Sequence, residues 1–127
     1  VENIVFVRVH TESLPRILRS HSVAEIWLTF SDPFPKKRYA KHRLTHPNFL
    51  TIYRDLLVAG GTLRQKTDNH TLFDWSLEQF VSNGWQIREL SYDLHESKLP
   101  DDYKITTTFE KKFLDEGLPI YYAAVTC

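Results

Sequence analysis

Residues 24–30, Ala-Glu-Ile-Trp-Leu-Thr-Phe, form a nearly continuous apolar run of strand length. A run of that kind is expected of a strand covered on both faces of its sheet. It ends abruptly in a polar stretch over 31–46 that Pro33 and Pro35 break up. The rest of the chain repeats the alternation. Residues 3–9 (Asn-Ile-Val-Phe-Val-Arg-Val) read as a strand, and Ser13 and Pro15 open a helix with Leu14, Ile17 and Leu18 on one face. Pro47 opens the next helix, with Phe49, Leu50, Tyr53, Leu56 and Leu57 at helical spacing, and Gly60-Gly61 is its expected stop. Strand 62–67 runs into Thr67-Asp68-Asn69, a capping sequence for a helix that carries Leu72, Phe73, Leu77, Phe80 and Val81 and ends at Gly84. A strand over 85–92, a polar loop over 93–105, a short helix from about Thr107 to Gly117 and an apolar strand over 119–126 follow. This order predicts one α/β layered domain over 1–127 with a largely parallel sheet.

Composition removes several classes of protein. Hydrophobic residues at 42% and aromatics at 13% supply enough apolar surface to offset chain entropy, which excludes a disordered chain. No uncharged apolar run approaches a membrane span, and no signal peptide opens the sequence. The only cysteine is Cys127, so no internal disulfide is possible, which fits a reducing compartment. With no histidine placed to activate it, a thiol nucleophile is not expected. The net charge of +0 hides a division: residues 31–66 carry eight Lys/Arg against two acids, and residues 67–117 carry eleven acids against five Lys/Arg.

In open α/β sheets, ligands bind beyond the carboxyl ends of the strands. Two of those ends carry acids, Asp32 and Asp68. Asp32 reads equally as a turn former and as a carboxylate aimed at a ligand donor. Asp68, taken alone, reads first as a helix cap, and so does Thr106-Thr107-Thr108-Phe109-Glu110, with Glu110 at the third helical position. Lys36, Lys37, Arg38, Lys41 and Arg43 fall within eight residues, with His42 among them and no acid. A solvated face would explain them. Neutralising a polyanion explains them better, and Tyr39 and Phe34 offer surfaces on which a base can stack. His42 and His46 are four apart, but Pro47 follows at once, and no cysteine pair or His-Glu-x-x-His pattern accompanies them, so no metal site is expected. Phosphate-loop and Gly-x-Ser-x-Gly motifs are missing as well.

Together the segments are more specific than any one of them. The stretch Phe30-Ser31-Asp32-Pro33-Phe34-Pro35-Lys36-Lys37-Arg38-Tyr39-Ala40-Lys41-His42-Arg43-Leu44 closely resembles the signature of bacterial tRNA (guanine-N7-)-methyltransferases. Lys66-Thr67-Asp68-Asn69, Asp93-Leu94-His95-x-Ser97, Thr107-Thr108-Phe109-Glu110-x-Lys112-Phe113 and Gly117-x-Pro119-Ile120-Tyr121 fit that family in order. The resemblance implies a Rossmann-like class I fold, S-adenosyl-L-methionine as methyl donor, tRNA as partner, a cytoplasmic enzyme, and a monomer or homodimer. It makes Asp32 the active-site carboxylate at the end of the family's fourth strand. Lys36, Asp68, Thr107, Thr108, Phe109 and Glu110 match substrate-contacting positions, and Lys37, Arg38, Lys41, His42 and Arg43 match the stretch that contacts RNA. Val9-His10-Thr11 corresponds to the end of the family's third strand, where an Asp meets the cofactor, so His10 and Asp32 are the cofactor-binding candidates. Phe34 stands in place of the usual Trp, His42 in place of an Arg, and Thr108 in place of a common Glu. The family's Gly-rich cofactor loop lies before its third strand, and this chain starts at about that strand. Residues 1–127 are therefore expected to lack the cofactor-loop portion and not to bind the methyl donor appreciably alone. Two other readings stand beside this one. One is a non-catalytic RNA-binding module on a truncated methyltransferase fold. The other is a methyltransferase with another acceptor, since Asp-Pro-x-Phe is similar to the (Asn/Asp)-Pro-Pro-(Tyr/Phe) motif of amino-group enzymes.

Overall fold

The computed structural model describes residues 3–106 and 108–127. A one-turn helix α1 (Leu14–Ile17) precedes β1 (Val23–Thr29). Then come α2 (Pro47–Leu56), β2 (Leu57–Thr67), α3 (His70–Ser82), β3 (Gln86–Ser91), α4 (Thr108–Asp115) and β4 (Tyr121–Thr126). Short 3-10 turns occupy Thr11–Ser13, Lys37–His42, Leu94–Glu96 and Asp101–Lys104. The expected elements thus form, with one exception. Residues 4–9 make no strand, and Val5 and Phe6 lie 83% and 95% exposed. A strand is held by its ladder, and among the described residues none pairs with this segment.

The sheet order is β1-β2-β4-β3. β1 and β2 are parallel, whereas β4 is antiparallel to both β2 and β3. This corrects the expectation of a largely parallel sheet: three strands share a direction, and β4 is inserted against them. The registers Thr67↔Tyr121 and Ser91↔Tyr122 give the reason. β4 starts at the rim where β2 and β3 end, so the connection over 92–120 stays at that rim and never crosses back. A second correction concerns the boundary between α2 and β2. The helix stops at Leu56 and the strand begins at Leu57, ahead of Gly60-Gly61. The glycine pair falls instead where the pairing of β2 with β1 shifts register, between Val23↔Leu57 and Glu25↔Thr62, with Gly60 at φ 76°.

Period-2 alternation splits the interior into two cores. On one face, Leu28, Leu63 and Val125 meet Phe49, Leu50 and Tyr53 of α2 and Phe80 of α3. On the other, Tyr122 and Ala124 meet Leu94, Ile120, Tyr103 and Phe113. Both faces of β1 are used, as its sequence predicts, with Leu28 on the first and Trp27 on the second. As the edge strand, however, it buries only Leu28 fully. Val81 of α3 faces solvent at 63% exposure, although its spacing suggested a core position.

α4 is docked by a charge as well as by apolar contact. Lys66 Nζ lies 2.7 Å from Glu110 Oε1, and the His95 ring is hydrogen-bonded to Glu110 Oε2. Glu110 is 0% exposed and Lys66 4%. A buried pair of this kind adds little net stability, but removing the lysine leaves the Glu110 carboxylate buried with one cation fewer. Lys66→Met should therefore cost about 3–5 kcal/mol in urea denaturation of the full-length protein. The double variant Lys66→Met/Glu110→Gln should recover much of that loss. A single-variant cost below about 1 kcal/mol would show the pair to be solvated.

His46 caps α2, its Nδ1 accepting from the Asn48 N–H at 3.1 Å, with Pro47 next in the chain. Burial lowers its pKa from the usual 6.5, and the acceptor role also needs the unprotonated nitrogen. The folded state therefore binds a proton at this ring less readily than the unfolded state does. The stability from His46 is present above about pH 6.5 and is lost as pH falls through the lowered folded value. Asn at this position keeps a capping acceptor and cannot titrate. Thermal melts between pH 7.5 and 5 should show a smaller acid-induced loss for His46→Asn than for the parent protein.

Candidate active site

The parallel ladder of β1 and β2 ends with Thr29 opposite Lys66, and the Phe30 N–H continues it by donating to Lys66 O at 2.8 Å. Three residues beyond Thr29 comes Asp32, and two beyond Lys66 comes Asp68. Both carboxylates line one cleft of about 350 Å³ together with Phe30, Ser31, Pro33, Asn69 and Phe113. Asp68 does not cap α3. Asn69 does so, its side chain accepting from the Leu72 N–H at 2.8 Å. The capping role that Asp68 suggested in the sequence thus belongs to its neighbour.

Asp32 borders a second cleft of about 340 Å³, lined also by His10, Thr11, Glu12, Ser31, Phe34, His42, Leu44 and Phe49. The two cofactor-binding candidates, His10 and Asp32, are therefore brought to one cavity. Asp32 lies between the two clefts, shared by both. Its Oδ1 accepts from the Phe34 N–H at 2.9 Å, which fixes the carboxylate against its own loop. Phe30 and Phe34, on either side of Asp32, both adopt left-handed backbone, at φ 53° and 42°. For a bulky side chain that conformation is an outlier, and such outliers concentrate at functional sites.

The basic residues separate into two groups. Lys36, Lys37, Arg38, Lys41 and His42 are exposed on the segment that follows Asp32. The Arg38 guanidinium lies 4.9 Å from the centre of the Tyr39 ring, and the His42 ring packs on Phe34 at 5.6 Å. Arg43 is different: it is only 8% exposed and its guanidinium faces inward. Nε donates to Pro33 O and Phe34 O at 3.0 and 3.1 Å, Nη2 donates to Phe34 O at 2.9 Å, and the group stacks 4.7 Å from the Trp75 ring centre.

Glu110 stands apart from both clefts, with its carboxylate held by Lys66 and His95. Thr108 is exposed at the start of α4, while Thr107 and the side chain of Phe109 lie outside the described residues. Phe113, one turn beyond Glu110, reaches the Asp32–Asp68 cleft and packs on Phe30 at 5.9 Å. Asn69 and Phe113, which the sequence offers only as a cap and as part of a matching segment, line the Asp32–Asp68 cleft, and Glu12, which no sequence feature marks, lines the other. Among the described residues, no group of three or more His, Cys, Asp or Glu is placed to hold a metal ion, and no helix is long and apolar enough to cross a membrane.

The donor set of the second cleft suits a methyl donor that carries a sulfonium. Asp32 and Glu12 offer negative charge, and Phe34, Leu44 and Phe49 offer apolar walls. The first cleft pairs two carboxylates with two aromatic rings, which suits a planar group with N–H donors.

A family model described as "Putative methyltransferase" matches residues 1–123. Over 127 residues, the whole of this chain, the sequence is 42% identical to a protein of Brevibacillus brevis named tRNA (guanine-N(7)-)-methyltransferase, and covers 59% of it. A protein of the same name from Bacillus subtilis is 39% identical over 124 residues, which are 98% of this chain and 57% of the relative. One from Listeria monocytogenes is 44% identical over 123 residues, 95% of this chain and 56% of the relative. The chain thus spans somewhat more than half the length of the curated relatives it matches. With the family match running through both rim carboxylates and on to β4, this chain belongs to that methyltransferase family.

Proposed function

We propose that the protein transfers a methyl group from S-adenosyl-L-methionine to N7 of a guanine in tRNA, as a cytoplasmic tRNA-modifying enzyme. The observation that carries this reading is the shared rim: Asp32 and Asp68 line one cleft, and an acid-free run of exposed cations adjoins it. The names of the relatives support the same substrate.

The chemistry asks little of a base. Guanine N7 presents a lone pair and no proton, so nothing has to be removed before it attacks. The donor, when bound, supplies an electrophilic methyl group on a sulfonium, and His10, Thr11, Glu12, Asp32 and Phe34 would hold it. The remaining work is positioning and exclusion of water. Guanine also carries N1–H and N2–H donors, for which Asp68 and Asp32 are the acceptors at the first cleft. Phe30 and Phe113 supply flat walls for a base taken out of its stack. A site built on such hydrogen bonds rejects adenine, because the wrong base leaves buried groups unpaired. Lys36 lies just beyond the Asp32 loop, where it can approach the phosphate of the target nucleotide. Thr108, Phe109 and Glu110 open the helix that brings Phe113 to the cleft, and together with Thr107 they are the remaining substrate-side candidates.

Asp32→Asn keeps an Oδ1 acceptor for the Phe34 N–H and removes only the charge. In the full-length protein it should abolish methyl transfer to tRNA while leaving the circular-dichroism spectrum and tRNA affinity unchanged. Undiminished transfer would remove Asp32 from the active site. Tight tRNA binding by the parent protein with no transfer would favour the RNA-binding-module reading.

Replacing Lys37, Arg38 and Lys41 together by Ala should weaken tRNA binding and flatten its salt dependence. The slope of log K against log salt should fall by about 0.7–0.9 for every phosphate that is no longer neutralised. An unaltered slope would mean that these exposed cations form only a solvated face.

A further inference from the structure

We propose that Arg43 is a positioning residue for Asp32, acting through the backbone of Phe34 and not through RNA. The proposal rests on the methyltransferase reading above and assigns a task within that same site. It starts from a contrast in burial. Arg43 ends a run of cations that are otherwise exposed, yet it is itself buried at 8%. A guanidinium there needs partners that compensate for lost water, and backbone oxygens supply them. Nε is shared between Pro33 O and Phe34 O, and Nη2 also meets Phe34 O. One face of the group is stacked on Trp75 of α3. The Nε–Nη2 edge of the fork is therefore occupied by the Asp32 loop and one stacking face by a helix. A phosphate taking the same bidentate edge would have to displace the Asp32 loop.

The loop needs this clamp because of Phe34. Its φ of 42° is a left-handed conformation that a phenylalanine leaves readily for ordinary extended backbone. Two charged groups hold it there. The Asp32 carboxylate accepts from the N–H on one side of the Phe34 Cα. Arg43 takes the C=O on the other side. Without Arg43, the hydrogen bond that still fixes the Phe34 backbone comes from the carboxylate that Phe34 itself orients. Relaxation of that residue would then free the Asp32 Oδ1 and turn the carboxylate away from the surface it shares between the two clefts. The line of support thus runs from Trp75 through Arg43 and Phe34 to Asp32. Asn69, which caps α3, lines the Asp32–Asp68 cleft and also a crevice of about 120 Å³ with Arg43, Pro33, Pro35, Thr71 and Leu72. One helix therefore gives both carboxylates their common reference.

Lysine cannot do this. It has the charge but not the planar fork that spans two successive carbonyls, nor the flat face that stacks on an indole. That difference separates positioning from phosphate binding, where Lys serves nearly as well as a point charge. The test compares Arg43→Lys and Arg43→Ala in the full-length protein. It uses single-turnover methyl transfer at saturating tRNA, tRNA affinity as a function of salt, and hydrogen exchange at the Phe34 amide. Both variants should lose roughly 10- to 100-fold in the rate of transfer, the scale expected of a small misplacement of a reacting group. Their tRNA affinity and salt slope should stay within twofold of the parent, and the Phe34 amide should exchange faster in both. Transfer at the parent rate by Arg43→Lys would overturn the proposal. So would a salt slope lowered by about 0.7–0.9 with an unchanged rate, since either result places Arg43 on a phosphate. Should the parent protein transfer no methyl group to tRNA, the methyltransferase reading fails separately, and the exchange measurement decides the clamp by itself. Unchanged protection of the Phe34 amide in both variants would then refute it.

Discussion

The register that sets Thr29 of β1 opposite Lys66 of β2 governs where the two rim carboxylates lie. Parallel strands end at the same rim, and the two acids follow their strands at nearly the same distance, so one pairing brings Asp32 and Asp68 to one cleft. The same register decides what each face carries. Gln65 meets Ser76 of α3 on one side of the sheet, while Lys66 meets Glu110 of α4 on the other. A slip of one residue would exchange those faces. It would leave a lysine against the α2–α3 core and the Glu110 carboxylate without that lysine. The apolar pattern of β2 and the charge buried beneath α4 therefore select the same alignment.

The two faces are held by different means. Against α2 and α3 the sheet offers Leu28, Leu63 and Val125, and apolar area suffices. The other face is covered by short turns and one two-turn helix, which bury less, and there the sheet carries ionic and aromatic groups. Arg64 spans the strands. Its Nε lies 2.5 Å from Glu25 of β1, and its Nη1 lies 2.8 Å from Glu89 of β3 and 2.5 Å from the Tyr122 hydroxyl of β4. Tyr103 and Trp27 lie against its guanidinium at 4.6 and 5.4 Å. Burial pushes the Tyr122 phenol above its usual range, so it keeps its proton and donates to Glu89 at 3.0 Å. Directional contacts of this kind specify an arrangement more than they stabilise it. Through Tyr103 they locate the Asp101–Lys104 turn, and Lys66 with Glu110 and His95 locates α4 and the turn around His95, all within the connection that stays at the rim.

Much of this was legible because it is local. Strand and helix positions follow from apolar spacing, and the rim acids follow from the rule that ligands gather at strand ends. The reversed β4 was not legible, since its 119–126 stretch reads as a strand in either direction and only the pairing partners fix its sense. Residues 3–9 have the composition of a strand, but composition cannot supply a neighbour. The exchange of roles between Asp68 and Asn69 turns on one residue at a helix start, where both side chains are capable caps. Arg43 was hidden most effectively. It stands in a run of like charges, and nothing in the order Lys41-His42-Arg43 tells which cation turns inward. The stacking partner that settles it, Trp75, is remote in sequence, as Glu110 is from Lys66 and His95.

The strain around Asp32 shows why a loop at this rim is made of aromatic residues and prolines rather than glycines. Glycine at positions 30 and 34 would adopt the left-handed backbone without penalty, whereas each phenylalanine there costs about 1–2 kcal/mol. A glycine would also remove a wall. The Phe30 ring bounds the cleft that holds Asp68 and packs on Phe113, and the Phe34 ring bounds the cleft that holds His10 and packs on His42. The backbone bends twice so that each cleft receives one ring while the carboxylate between them is shared. Pro33 and Pro35 narrow the conformations open to the rest of the loop. The ladder bond to Lys66 O holds Phe30, and the Asp32 and Arg43 hydrogen bonds hold Phe34. Each left-handed residue is thus fixed by an element outside itself, which is the condition under which such strain persists in a folded protein.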